Sequence, residues 1–325
     1  MPARRGLLLL ICCFPVFAGE HWTSACESRP PQGLAAPAPQ GTLVLIIDDL
    51  GHQWGNGMAM VNLPGKVNLA VLPHTPHGTR LAEAGFDSGK EILLHAPMSN
   101  LGGMPLGPGG LTPELSREEF ELTLMQAIDA IPHLRGVNNH MGSELTEMPQ
   151  QMSWVMEALL QRELYFVDSR TTGRSVAARA AVDYRVPHLS RTVFLDNERT
   201  EQAIGWHFNR LVQLAEKKGL AVGIGHPYPE TSAYLRRALP TLECRGIRLA
   251  LVSEVLTGGS EQQELPEENS YDPWSEPYFN TAFSHVGLGL GNRVFTEVED
   301  TGSEHRVGTA EGNALDQVIQ GSNTP

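Results

Sequence analysis

Short apolar runs alternate with helical patterns between residues 41 and 256. Because parallel strands need a crossover connection, this alternation predicts parallel pairing. Seven or eight strand–helix units in about 215 residues predict an α/β fold, a small (β/α) barrel with mainly parallel strands, and an open doubly wound sheet is the alternative. The predicted strands are Leu43–Ile47, Val67–Leu72, Glu91–Leu94, Gly136–Asn139, Leu164–Val167, Thr192–Leu195, Leu220–Ile224 and Arg248–Val252.

The helical segments carry start and stop signals. Ser116 followed three residues later by Glu119 is a capping-box pattern. A later helix is predicted to begin at Thr200 and to end at Gly219, because glycine readily adopts the left-handed conformation that ends helices. The helix after the seventh strand is expected to be interrupted at Pro240.

The first residues have the composition of a secretory signal. Arg4 and Arg5 precede an apolar run over 6–17 that is too short to span a bilayer comfortably, and Ala18 supplies a small residue before the cleavage point. Residues 1–18 are therefore predicted to be a signal peptide, and the mature protein to be periplasmic without an integral membrane span. An uncleaved membrane anchor is the alternative.

Composition divides the remainder of the chain into three parts. Residues 19–40 are rich in Pro, Ala, Gly and Gln and are predicted to be a linker. Residues 41–257 form the patterned domain. Residues 258–325 are predicted to be an acidic, mostly disordered tail, in which three aromatic residues form a candidate docking motif or are simply solvated: Trp274, Tyr278 and Phe279.

The charge and cysteine content exclude some classes of protein. The 325-residue chain has a formal net charge of -13, which argues against nucleic-acid binding. Two of its four cysteines, Cys12 and Cys13, lie in the predicted signal. Cys26 and Cys244 remain and are candidates for a disulfide in an oxidising compartment. No zinc-finger cysteine spacing is present.

Polar residues collect directly after the apolar runs. Because the carboxyl ends of parallel strands lie on one face of a barrel or sheet, these distant residues are expected to converge there. They are Asp48 and Asp49, His74, His95, His140, Asp168 and Ser169, Asp196 and Asn197, and His226. A carboxylate with two imidazoles is a ligand set for zinc or a similar divalent ion that leaves one position open for water.

Several of these residues also have purely structural interpretations. Asp168 is a possible cap for the next segment, and for Asp196 capping is the favoured interpretation. His74 and His77 flank a proline-rich turn and are either functional or exposed bystanders.

Five segments resemble the divergent polysaccharide deacetylases, a branch of the carbohydrate esterase deacetylases. They occur in family order: "IIDDLG" (46–51), "LLHAPM" (93–98), "GVNNHMGS" (136–143), "FVDSRT" (166–171) and "GIGHP" (223–227). The resemblance implies a distorted (β/α) barrel and metal-dependent removal of acetyl groups from a glycan.

The resemblance also implies residue roles. Asp48 matches the general base, and Asp49 and His95 match metal ligands. His226 matches the general acid, and Asp168 matches the aspartate that tunes that acid.

Two departures from the family pattern matter. Ser99 stands where the better-studied enzymes have a second histidine, so His140, after the next strand, is expected to complete the metal site. An Arg-Pro motif of the family is replaced by "VNNHMG", in which Asn138 and Asn139 either bind sugar hydroxyls or shape the turn before His140. Trp54 is expected to pack in the core or to stack on a sugar.

These observations predict a metal-dependent hydrolase that removes acetyl groups from a cell-envelope or extracellular polysaccharide, such as a peptidoglycan-like glycan. Zinc is the expected ion, although nickel or cobalt suits the same ligands. The alternative is a non-catalytic periplasmic module that binds a glycan or an envelope protein through a degenerate deacetylase site. A metal-dependent amidase acting on peptidoglycan peptides is a third reading.

Overall fold

The computed structural model describes residues 39–258. The elements in this range alternate along most of the chain between strands and helices. In chain order they are β1 Gly41–Leu50, α1 Trp54–Val61, β2 Asn68–Val71, α2 Gly78–Asp87, β3 Glu91–Met98, α3 Arg117–Asp129, β4 Leu134–Met141, α4 Pro149–Gln161, β5 Tyr165–Asp168, α5 Ala177–Tyr184, β6 His188–Ser190, β7 Val193–Phe194, α6 Glu201–Lys218, β8 Leu220–Gly225, α7 Pro229–Ala238, β9 Ile247–Ala250 and α8 Val252–Gly258.

The nine strands form one parallel sheet, in which eight follow the order β6–β5–β4–β3–β2–β1–β8–β7 and the other, β9, pairs with β1. Strand β9 pairs with β1 over residues 41–44, and β2 pairs with β1 from Ile46 onward, so β9 and β2 share one edge of β1 in succession. The expected parallel arrangement is confirmed. Eight of these strands were predicted from the sequence. Strand β6 was not, because its three residues include a histidine and a serine and form no apolar run.

The sheet curls into a distorted barrel whose seam lies between β6 and β7. The chain itself crosses this seam in two residues. Arg191 donates its backbone N–H to the Asp168 carbonyl at the end of β5 (2.9 Å), and Thr192 donates its own to the Val222 carbonyl in β8 (2.8 Å). The two ends of the sheet therefore meet, as a barrel requires and an open doubly wound sheet does not.

Alternate residues of each strand enter two different apolar layers, as the two-residue period of a strand requires. In β1, Leu43, Leu45 and Ile47 pack outward with the helices, whereas Val44 and Ile46 face the barrel interior. The interior layer also contains Ala70, Leu93, Tyr165, Val167, Leu189, Phe194, Val222, Ile224 and Val252. Side chains two residues apart on a strand face the same side. A polar residue two positions after an inward-facing one, at the carboxyl end of its strand, therefore points into the mouth of the barrel.

Helix α8 covers the opposite end of the barrel, at the amino ends of β2 and β3. Val252 is fully buried in the interior layer, and its backbone N–H donates to Asn68 Oδ1 (3.0 Å). Ser253 donates its backbone N–H to Glu91 Oε1 (2.9 Å), which also accepts the Tyr165 hydroxyl (2.8 Å). Helix α8 thus closes the barrel at the amino ends of its strands, and the polar residues lie at the carboxyl ends.

The helix signals in the sequence are confirmed. Ser116 and Glu119 form the reciprocal capping box, and Thr200 Oγ1 caps α6, which ends at Gly219 in the left-handed region (φ 80°). Helix α7 ends at Ala238, and two short 3-10 turns follow it around Pro240.

Several predictions concern residues outside the described range. They are the signal peptide, nearly all of the linker and of the acidic tail, and the aromatic motif Trp274, Tyr278 and Phe279. Cys244 lies in a 3-10 turn rather than in an α-helix and is disulfide-bonded. Cys26 lies outside the described residues, so the Cys26–Cys244 pairing stays a prediction. Within residues 39–258, none of the helices has the length and apolar character needed to cross a membrane.

Candidate metal-dependent active site

The carboxyl end of the barrel brings together five of the polar residues that the sequence singled out: Asp48, Asp49, His95, His140 and His226. They come from the ends of β1, β3, β4 and β8. Asp49, His95 and His140 each offer a ligand atom within 4.8 Å of the others. The expected convergence is confirmed for these five residues.

A backbone irregularity at the end of β1 explains how two adjacent carboxylates face one site. Neighbouring residues in a regular strand point to opposite faces, and Asp48 continues the inward phase of Val44 and Ile46. Asp49 has a left-handed backbone (φ 58°), and the register between β1 and β2 shifts between Ile47 and Leu50. This bulge-like shift turns the second carboxylate toward the mouth as well.

Asp49 and the two histidines surround a common point. Asp49 Oδ1 lies 3.1 Å from His95 Nε2 and 2.8 Å from His140 Nδ1. The two ring nitrogens are 3.2 Å apart, and the rings meet edge to face. Burial alone would raise the pKa of Asp49, but the adjacent rings of His140 and His95 hold it well below its usual range.

These three residues fit a divalent metal ion. Asp49 Oδ1 is buried and forms no hydrogen bond of acceptable geometry with a described residue, although the ring nitrogens of His95 and His140 lie 3.1 and 2.8 Å away. Such orphaned acceptors are rare in folded proteins and call for a cation or water. Tetrahedral zinc with bonds of about 2.0–2.1 Å separates its ligand atoms by roughly 3.3 Å, close to the three observed separations. One carboxylate and two imidazoles leave a fourth position open.

Asn138 fixes the ligand-bearing tautomer of His95. Its Nδ2 donates to Asp48 Oδ1 (2.7 Å), and its Oδ1 lies 2.9 Å from His95 Nδ1. A carboxylate can only accept, so the amide nitrogen faces Asp48 and the amide oxygen faces His95. Nδ1 of His95 therefore carries the proton, and Nε2 presents a lone pair to the metal position.

The two asparagines are not placed to bind sugar, which corrects one of the two sequence interpretations. Asn138 is completely buried. Asn139 is also buried, its Nδ2 donates to the Met141 carbonyl (2.7 Å), and its Oδ1 accepts the Ser169 backbone N–H (2.9 Å). Asn139 therefore shapes the turn around His140, and Asn138 holds His95 and Asp48 in position through its two hydrogen bonds.

Asp48 is a buried carboxylate beside the three candidate metal ligands. Burial raises its pKa above the ordinary value, although the neighbouring His95 and His226 oppose that shift. Asn138 engages Oδ1, whereas Oδ2 lies 3.7 Å from His95 Nε2. One oxygen of Asp48 is therefore anchored and the other faces the cluster.

His226 lies on the other side of the cluster and is held by Asp196. Its Nδ1 is 2.8 Å from Asp196 Oδ1, and its backbone N–H donates to Asp196 Oδ2 (2.6 Å), which also accepts the Thr231 hydroxyl (2.7 Å). Nε2 of His226 lies 3.9 Å from Asp49 Oδ2. Burial alone would lower the pKa of His226, but Asp196, with smaller contributions from Asp49 and Asp48, raises it to about 10.

The assignment of Asp168 as the partner of His226 is therefore wrong, and so is the reading of Asp196 as a helix cap. Asp168 follows Phe166, which faces the outer layer, so its carboxylate points away from the barrel interior. It accepts bonds from the Arg170 backbone N–H and the Ser175 hydroxyl, both at 2.8 Å. Burial raises its pKa. It stabilises the loop after β5.

The sequence carries only part of the signal that identifies Asp196. It is two residues after Phe194, which faces the barrel interior, and it ends the strand adjacent to the one that carries His226. Inward phase and strand adjacency together single it out, but adjacency is a property of the folded sheet.

The other residues that the sequence singled out have structural or peripheral positions. Ser99 is buried, and its hydroxyl has no hydrogen-bond partner among the described residues. Trp54 is partly buried against the outer core, under the Arg80 guanidinium at 4.3 Å, and its edge meets His77. His74 is exposed.

Comparisons with known proteins identify the family of the chain. Residues 45–256 match the family model described as divergent polysaccharide deacetylase. An uncharacterized protein of Escherichia coli K12, YibQ, is 37% identical over 237 residues, which cover 73% of this chain and 74% of that protein. An uncharacterized protein of Haemophilus influenzae is 34% identical over 203 residues, covering 62% of this chain and 72% of that protein.

A solved structure shares the fold. The crystal structure of an uncharacterized protein from Agrobacterium tumefaciens C58 superposes with a TM-score of 0.65 at 23% identity, covering 69% of this chain and 92% of that one. The family model spans well over half of the chain, including every strand that contributes to the site. The chain belongs to the divergent polysaccharide deacetylase family.

Proposed function

We propose that the protein is a metal-dependent hydrolase that removes acetyl groups from a cell-envelope or extracellular polysaccharide. The observation that carries this proposal is the Asp49, His95 and His140 cluster with a carboxylate on one side and a protonated imidazole on the other. Hydrolysis of an acetyl amide or ester needs a base to activate water and an acid to protonate the leaving group. The site offers one of each.

Different residues of the site hold the ion, accept the proton of water and keep these groups in position. Asp49, His95 and His140 hold the ion, which when bound polarises the acetyl carbonyl and lowers the pKa of water toward about 7. Asp48 accepts, at Oδ2, the proton that the attacking water loses. Asn138 holds Asp48 Oδ1 and His95 Nδ1, so both groups keep a fixed orientation.

His226 acts as the proton donor at Nε2. The Asp196 carboxylate raises the pKa of His226 to about 10, so the imidazole carries a proton at Nε2 at neutral pH. When the bond between the acetyl carbon and the sugar nitrogen or oxygen breaks, His226 transfers that proton to the departing atom. The products are acetate and a free amine or hydroxyl on the glycan.

We further propose zinc as the bound ion and the periplasm as the location. A site of one carboxylate and two imidazoles with an open fourth position suits zinc, although cobalt and nickel bind similar donors. The N-terminal sequence, with two arginines before a short apolar run, supports export.

The test is metal content and acetate release from the full-length chain. We expect about one zinc per chain after growth in zinc-supplemented medium, and acetate release from acetylated glycans that a chelator abolishes. Asp48→Asn should retain zinc and lose turnover. Asp129→Asn, on an exposed ion pair with Arg162, is the matched control and should behave as wild type. Protein that stays metal-free under these conditions would exclude the proposed chemistry.

The same experiment separates an enzyme from the non-catalytic binding module. Three side chains that could hold a metal ion converge despite Ser99, and we propose that His140 takes the place of the absent histidine. This weighs against a degenerate site. A module would bind glycan equally well with and without Asp48→Asn, and neither form would release acetate.

A further inference from the structure

Tyr228 lies at the rim of the site between the proton donor and an arginine. Its ring stacks against the His226 imidazole, with centroids 5.6 Å apart and planes inclined by 29°. The Arg199 guanidinium lies over the Tyr228 ring, 3.8 Å from its centroid, and donates a hydrogen bond to the Tyr228 hydroxyl (2.9 Å). Arg199 therefore fixes the ring that supports His226.

The backbone around Tyr228 is held rigidly. Pro227 precedes it and Pro229, the first residue of α7, follows it, so both flanking φ angles are restricted. The Tyr228 N–H donates to the His226 carbonyl (2.8 Å), and its own carbonyl accepts from Ser232 (3.0 Å). The backbone from which the Tyr228 ring projects is therefore held in place.

Hydrogen bonds at Nδ1 of His226 do not by themselves fix the direction in which its Nε2 points. Asp196 grips His226 at Nδ1 and at the backbone N–H, yet the imidazole can still tilt about that contact. Two aromatic rings limit the tilt, because Phe194 stacks on the imidazole at 6.1 Å and Tyr228 at 5.6 Å.

We propose that Tyr228, locked by Arg199, is a positioning residue that holds Nε2 of His226 in line with the leaving group. The inference rests on the proposed function, because it assigns His226 the role of proton donor. Tyr228 is not offered as a stacking platform for sugar, since Arg199 already covers its ring. Its effect on the reaction is exerted through His226.

The test compares two acetyl donors that differ in their need for a proton. An N-acetylglucosamine oligomer needs its amine protonated, whereas 4-nitrophenyl acetate releases a stable phenolate without a proton. In the zinc-loaded full-length chain, Tyr228→Leu should lower kcat on the oligomer by about ten- to a hundredfold, the effect of a small misplacement. KM on the oligomer and kcat on the ester should stay unchanged.

Two further variants establish the cause. Tyr228→Phe keeps the ring and should retain the wild-type kcat on the oligomer. Arg199→Ala, an exposed change that leaves the core intact, should lower that kcat in the same direction as Tyr228→Leu but by less. Arg179→Ala, on an exposed helical ion pair with Asp183, is the matched control and should have no effect.

A readout independent of activity is the NMR signal of the His226 imidazole in metal-free protein. The stacked ring should shield its carbon-bound protons in wild type and Tyr228→Phe, and Tyr228→Leu should remove that shielding. If the wild-type chain hydrolyses neither donor, the proposed function fails, and these resonances still decide whether Tyr228 holds His226. Unchanged resonances and unchanged oligomer turnover in Tyr228→Leu and Arg199→Ala would overturn the inference.

Discussion

A single residue in a left-handed conformation gives this site its paired carboxylates. Asp48 and Asp49 would face opposite sides of a regular strand, but the positive φ of Asp49 brings both to the mouth of the barrel. Such conformations in non-glycine residues cost about 1–3 kcal/mol and persist where the surroundings enforce them. Here the strained backbone places Asp49 Oδ1 in contact with the two histidine rings.

At the residue scale, Asn138 is expected to control metal affinity without touching the metal. Asn138→Ala removes the bonds that fix the His95 tautomer and anchor Asp48, and residues of this kind typically contribute 10–100-fold to metal affinity, so zinc affinity should fall by about that factor. Competition with a fluorescent chelator measures it. Asn209→Ala, in α6, where the side chain accepts a hydrogen bond from Arg245 (3.3 Å), should leave the affinity unchanged. Equal affinities for all three proteins would contradict the assigned role.

Asp196 is expected to set the pH range of activity. In the proposed mechanism His226 must be protonated, so activity should be lost as pH rises through its pKa, which the Asp196 carboxylate holds at about 10. Asp196→Asn removes that charge, lowers this pKa toward 6.5, and should move the alkaline limb of the kcat/KM profile to lower pH. General acid catalysis is worth on the order of 10²–10⁴-fold, which bounds the loss of kcat at pH 8.

The control for this prediction is Asp183→Asn, which alters an exposed helical pair with Arg179. Its pH profile should match wild type. An alkaline limb that stays in place in Asp196→Asn would mean that another group donates the proton.

At the scale of elements, the site depends on how β1 ends. Gly51 has φ 136°, and a Cβ there would lie 2.0 Å from Thr75 Oγ1, which is hydrogen-bonded to the Leu72 carbonyl after β2. The Gly51 carbonyl accepts the His77 N–H (2.9 Å). The turn after the Asp pair is therefore tied to the loop after β2, and the position of Asp49 depends on this tie.

Gly51→Ala should accordingly damage stability and metal binding together. The strained φ and the clash predict a loss of about 1–3 kcal/mol in the free energy of unfolding, measured by urea denaturation. Gly55→Ala in α1 is the matched control, because a Cβ there meets nothing within 4 Å and alanine favours a helix. A Gly51→Ala protein as stable as Gly55→Ala would show that the turn tolerates a side chain.

At the scale of the whole molecule, the barrel separates its functional end from its structural end. The polar residues lie at the carboxyl ends of the strands, and α8 fills the amino end with Val252 against the interior layer. The buried groups Asn68 and Glu91 at that end are both satisfied by the backbone of α8. The stability of the barrel thus depends on a helix far along the chain from the strands that it covers.

A chain that stops after Leu251 should therefore fail to fold stably. It loses the burial of Val252, worth about 1.5–3 kcal/mol, and leaves the buried side chains of Asn68 and Glu91 each short of one hydrogen-bond donor, at about 1–3 kcal/mol each. Those losses are a large part of the 5–15 kcal/mol typical of a domain. Thermal unfolding followed by circular dichroism is the measurement. A chain that stops after Gly258 keeps α8 and should unfold at the wild-type temperature, and equal midpoints for the two truncations would refute this role of α8.

The order of residues along the chain was enough to predict parallel strands and the strand ends at which the polar residues lie, whereas the choice between a barrel and an open sheet needed the structure. Alternating apolar runs and helices require parallel strands, and parallel strands place all their carboxyl ends on one rim, so Asp49, His95 and His140 had to gather there. The capping box at Ser116 and the glycine at the end of α6 are equally local, because each depends only on residues within a few positions.

Only the tertiary structure decided which polar groups touch. Asp168 and Asp196 both follow short apolar runs, but β7 neighbours β8 and β5 does not, so Asp196 reaches His226. Asn138 became a support for His95 and Asp48 rather than a sugar ligand because inward phase and strand order bury it between them. Hydrogen-bond partners depend on register, strand order and local backbone conformation, and these are fixed by packing between segments far apart in sequence.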